Sequence, residues 1–87
     1  MNQTEERVVE ILTSHPRCDM PWTVPMKAVG ETMKWDIAKT RAFVEYLMYH
    51  KLVVLKTVGL HKLGEQENKG QFWWERGERL RQSARKL

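Results

Sequence analysis

The sequence predicts an α+β domain: three helices, then a β-hairpin, then a short basic C-terminal helix or tail. Three observations predict it. Apolar residues recur at helical spacing in three segments ahead of Lys51. From Leu52 the pattern changes to a short β-branched run, Leu52-Val53-Val54-Leu55. A polar, glycine-punctuated stretch then leads to a second strand-like run, Gln71-Phe72-Trp73-Trp74-Glu75-Arg76.

The first helix is expected from about Thr4 to Thr13, with Thr4 as N-cap and Glu5 and Glu6 in the first turn. Val8, Ile11 and Leu12 form its apolar stripe, broadened by Val9. Pro16 stops it, because proline disfavours helical geometry at the residue before it. The loop that follows holds two prolines, and Trp22-Thr23-Val24 reads as a short strand. Pro25 opens the second helix, where its missing N–H costs little. Met26, Val29 and Met33 form the inward side of that helix. Gly30 weakens it by about 1 kcal/mol relative to alanine, which calls for close packing against another helix.

Asp36 is the strongest capping residue of the chain and starts a third helix that continues to about His50. Ile37, Thr40, Val44, Leu47 and Lys51 fall on one side, flanked by Phe43 and Met48. Opposite lie Ala38, Lys39, Ala42, Glu45, Tyr46 and Tyr49, with Arg41 at the boundary. The β-branched run forms the outgoing strand and continues towards Val58; LGEQENKG forms the tip; Gln71 to Arg76 return. Trp73 and Trp74 are adjacent, so they point to opposite faces of the strand, and either could be the one turned inward. Gly77 ends the strand. The segment beyond it is basic, with Leu80, Ala84 and Leu87 on one side.

Composition narrows the function. With 87 residues the chain suits one domain with one small core. Its apolar runs are too short to span a bilayer, and MNQTEERVVE is acidic where a signal peptide is positive, so a cytoplasmic protein without a membrane role is expected. A single cysteine, Cys18, fits a reducing compartment. Net charge is +4, but residues 1–35 sum to −1 and residues 36–87 to +5. That asymmetry turns the C-terminal half towards a polyanion. His15-x-x-Cys18 lacks the four closed ligands of a zinc site, and no phosphate loop, nucleophile elbow or nucleophile–base pair is present. Neither an enzyme, a metal, a cofactor nor a small-molecule ligand is expected.

The order of these elements resembles the winged helix-turn-helix family over roughly residues 4–76, leaving residues 77–87 as a basic helix or tail. The family pattern is a capped recognition helix, a leucine late in it and an apolar pair starting the wing. Asp36, Leu47 and Leu52-Val53 match these. Where many members carry glycine, in the turn between the helices and just before the wing, this chain has Lys34 and Lys51.

The resemblance implies that the third helix enters the major groove of duplex DNA and the wing touches the backbone. Ala38, Lys39, Arg41, Ala42, Glu45, Tyr46 and Tyr49 become the reading face, and His61, Lys62 and Lys69 the wing contacts. Lys39 and Arg41 lie near the helix N-terminus, where arginine can bond guanine in a bidentate manner. Ala38 and Ala42 are small enough to admit the groove, and Lys62 and Lys69 can neutralise phosphates. The C-terminal segment, with Arg79 and Arg81, has three readings: phosphate contact, a dimer seam, or a frayed tail. The implied function is a small sequence-specific transcription regulator of prokaryotic or phage-like type, and a homodimer on a palindromic site stays open. A second reading is a protein-docking module on the same fold, acting through Tyr46 and Tyr49, because tyrosine is enriched at protein interfaces.

Overall fold

The computed structural model describes residues 1–19, 22, 24–59 and 70–78. Three helices, α1 (Gln3–Ser14), α2 (Val24–Met33) and α3 (Ile37–Tyr49), precede two antiparallel strands, β1 (Val53–Val58) and β2 (Gln71–Arg76). Among the described residues no helix is long and apolar enough to cross a membrane.

α1 begins earlier than the sequence suggested. Its N-cap is Asn2, not Thr4. The Asn2 side chain accepts from the Glu5 amide at 2.8 Å, and the Glu5 carboxylate accepts from the Asn2 amide at 2.9 Å. This reciprocal capping box satisfies two helix-end donors, which a cap at Thr4 would leave open. His15 ends the helix just before Pro16, as the proline rule requires.

The expected strand at Trp22-Thr23-Val24 does not form. Val24 opens α2, with Pro25 in the second helical position, and Thr23 lies outside the described residues. Strand pairing falls on Cys18 instead. It exchanges two backbone hydrogen bonds with Phe72, at 2.9 and 2.8 Å, on the edge of β2 away from β1. The β-branched Val24 was a local signal for strand that the fixed backbone of Pro25 overrides by starting a helix.

α2 and α3 end in the same way. The Trp35 amide donates to the Gly30 carbonyl at 3.0 Å, and the Leu52 amide to the Leu47 carbonyl at 2.9 Å. These are the six-to-one bonds of Schellman turns, which need a left-handed residue between them. Lys34 (φ 61°) and Lys51 (φ 60°) occupy those positions. Both turns thus hold a left-handed residue, and lysine fills each at a cost of about 1 kcal/mol or more.

The core is built from Val8, Val9, Leu12, Met26, Val29, Val44, Leu47, Leu52, Val53 and Trp74. α1 packs on α2, α3 and β2, and α3 reaches β1. Thr40 sits among the apolar side chains because its hydroxyl donates to the Asp36 carbonyl at 2.8 Å, leaving no open donor. Gly30 is crossed by α3: a Cβ there would lie 3.2 Å from the Thr40 hydroxyl oxygen. Ile37, expected on the inward side, is 72 % exposed. It is the first residue of α3, one turn short of Thr40, and only Thr40, Val44 and Leu47 on that side are covered by the other helices.

In the sheet, Leu55 pairs with Trp74 on the inner face, and Lys56 with Trp73 on the outer face. Trp74 is the inward tryptophan, at 2 % exposure. Gly77 is buried where the chain leaves β2 against the main chain of Lys51 and Leu52. Its amide donates to the Leu52 carbonyl at 2.8 Å, and a Cβ would lie 2.0 Å from the Lys51 carbonyl oxygen. The polar tip and the basic segment beyond Glu78 lie outside the described residues, as does any helix through Leu80, Ala84 and Leu87.

Candidate nucleic-acid interface

α3 is fixed at its start by Asp36, whose carboxylate accepts from the Lys39 amide at 2.8 Å. The remaining first-turn amides point the positive end of the helix dipole outward near Lys39. Ala38, Lys39, Arg41, Ala42, Glu45 and Tyr49 are all exposed on this helix. The two alanines leave a low strip along its outer face, bordered by Lys39 on one side and Arg41 on the other.

Both cations rest on tryptophans. The Lys39 ammonium lies 5.0 Å from the centre of the Trp35 ring, and the Arg41 guanidinium 5.2 Å from that of Trp22. Arg41 also meets Glu45, one turn on, with 3.8 Å between Nε and the carboxylate oxygen. Such an exposed pair adds under about 1 kcal/mol to stability. Its effect is to limit where the guanidinium can go, and it explains Glu45 on an otherwise cation-bearing face.

Trp22 is itself held in an edge-on contact with the core residue Trp74, with ring centres 5.8 Å apart at 88°. A third cation, Arg17, lies 4.3 Å over the ring of Trp73 on the outer sheet face. Trp22, Trp35 and Arg17 join the site only in the structure. Trp35 was legible as the residue four places before Lys39. Trp22 was not, because its approach to Arg41 depends on how the turn before α2 packs on β2.

Tyr46 and Tyr49, taken together in the sequence, separate in the structure. Tyr49 is 81 % exposed. Tyr46 is 37 % exposed, and its hydroxyl turns towards α1 to donate to the Glu5 carboxylate. Its ring continues an aromatic row along α3 in which Trp35 meets Phe43, Phe43 meets Tyr46, and Tyr46 meets His50 with centres 4.5 Å apart. The Tyr46 hydrogen bond, then the Asn2 amide, hold the Glu5 carboxyl below its ordinary range; the N-terminal ammonium and His50 act in the same direction. Tyr46 is thereby drawn from the outward face into a structural contact.

His61, Lys62, Lys69, Arg79 and Arg81 lie outside the described residues. Among the described residues no three His, Cys, Asp or Glu side chains converge as a metal site would require. An open groove between α1 and the end of α2 is lined by Glu6, Arg7, Glu10, Ile11 and Met33, away from the cations of α3. Comparison with protein-family models, with curated proteins and with solved structures returned no match.

Proposed function

We propose that this chain is a winged helix-turn-helix protein that binds duplex DNA sequence-specifically and acts as a small transcription regulator. α3 enters the major groove, and the β1–β2 hairpin is the wing that meets the adjacent backbone. The observation that carries this reading is the outer face of α3: an exposed strip of Ala38 and Ala42 bordered by Lys39 and Arg41, on the second helix of a helix-turn-helix that leads straight into an antiparallel hairpin. Small side chains admit the groove floor, and the flanking cations reach bases and phosphates. The +5 charge summed over residues 36–87 of the sequence agrees with a polyanionic partner.

Fluorescence anisotropy with a labelled duplex at rising salt tests the proposal. With four phosphate contacts, affinity falls on the order of a hundredfold between about 50 and about 200 mM salt. Replacing Lys39 and Arg41 together by alanine abolishes sequence-specific binding and lowers its salt sensitivity while the thermal transition is retained. Binding to DNA equal to that of the wild type in this double variant contradicts the assigned face.

The protein-docking reading draws on a different observation. Tyr49 at 81 % exposure and Ile37 at 72 % are large apolar side chains left open on α3. A partner held there depends little on salt and survives the double alanine change.

A further inference from the structure

Arg41 differs from Lys39 in how it is held. Two elements meet at its guanidinium: α3, which carries it together with Glu45, and the turn before α2, which supplies the Trp22 ring; Trp22 in turn rests edge-on against the core tryptophan of β2. The guanidinium carbon lies 5.2 Å from the centre of the Trp22 ring, and Glu45 approaches Nε at 3.8 Å, so two contacts restrict where the guanidinium can go. The N–H donors of its two terminal nitrogens are coplanar, in the fork geometry that matches two acceptors side by side. An arginine free in solvent loses several rotatable bonds' worth of freedom when it docks; one already held by a ring and a carboxylate loses less. Lys39 has a ring beneath it as well, but an ammonium is a point charge with no plane to orient.

We infer that Trp22 and Glu45 are positioning residues that hold Arg41 as a preset reader of one guanine in the major groove. The inference rests on the DNA-binding reading above and adds a base to it. Guanine is the base whose major-groove edge offers two acceptors, O6 and N7, to a guanidinium fork. Arg41 makes the base contact, and Trp22 and Glu45 act through it.

The test is selection of bound duplexes from a random-sequence pool, run in parallel with the wild type, Arg41→Lys, Trp22→Phe and Glu45→Gln. Each variant is first checked for an unchanged far-UV spectrum. Arg41 and Glu45 are exposed, so their changes leave the core untouched. The wild type is expected to select a motif with a fixed guanine. Arg41→Lys keeps the charge and the rest of the motif but loses preference for that guanine by about tenfold or more. Trp22→Phe and Glu45→Gln lose part of the same preference at the same position, with the salt dependence of binding unchanged, which a loss of fold would not produce. If Arg41→Lys selects the same guanine as strongly, Arg41 is not the reader and DNA binding stands without it. If Arg41→Lys loses the guanine while both other variants keep it fully, the positioning roles are overturned. If the wild type enriches no motif, the inference falls together with sequence-specific DNA binding.

Discussion

The Tyr46 hydroxyl donates a hydrogen bond to the Glu5 carboxylate, joining the last turn of α3 to the first turn of α1 across 41 positions of chain. Glu5 also closes the capping box with Asn2, so one carboxylate both starts α1 and ties it to α3. Because these contacts favour the ionised form, the carboxyl is held below its ordinary value of 4.5. Its contribution to stability is therefore fully present above that value and fades as pH falls through the lowered folded value. Urea midpoints followed from neutral to acid pH are expected to drop more steeply for the wild type than for Glu5→Gln. Tyr46→Phe is expected to lower the midpoint at neutral pH and to leave unchanged any binding of the duplex proposed above for α3.

Lys34 and Lys51 each hold a left-handed backbone at the end of a helix. Glycine removes the steric cost there, about 1–2 kcal/mol, and adds back about 0.5–1 kcal/mol of unfolded-chain entropy. Lys34→Gly and Lys51→Gly are each expected to stabilise the protein by roughly 0.5–1 kcal/mol, read as a rise in urea midpoint at constant slope.

Gly77→Ala is the opposite case. Its new methyl group would meet the Lys51 carbonyl oxygen at 2.0 Å, and main-chain atoms cannot swing aside. A loss of about 3 kcal/mol or more is expected in denaturant unfolding. Gly30→Ala meets its neighbours at 3.2 Å and gains helix propensity, so it is expected to stay within about 1 kcal/mol of the wild type.

Asp36 bonds the Lys39 amide through its side chain and Thr40 through its carbonyl. Asp36→Ala removes only the first contact and is expected to cost about 1 kcal/mol, with Asp36→Ser recovering most of it.

Much of this architecture was legible in the chain. The Asp36 cap, the period of α3 and the limits of β2 all follow from local signals: a capping side chain, apolar spacing, and glycines on either side of Gln71–Arg76. Asn2 was legible too, since Glu5 stands three residues after it, but the threonine nearer the apolar run was the stronger lure. The features that escaped depend on distant neighbours. Periodicity gives Ile37 a side of α3 but not the point where covering by the other helices ends. It places Tyr46 outward but cannot know that Glu5 arrives beside it. Trp73 and Trp74 were known to oppose each other, and only the packing of α1 on the sheet makes Trp74 the buried one.

The central claim is that α3 and the hairpin bind duplex DNA. An amide NMR titration with a mixed-sequence duplex, at low and at moderate salt, tests it most directly. Shifts are expected to concentrate in residues 36–49, the hairpin and the arginine-rich C-terminal segment, and to shrink as salt rises. Unchanged spectra at low salt, or shifts confined to α1, would contradict it.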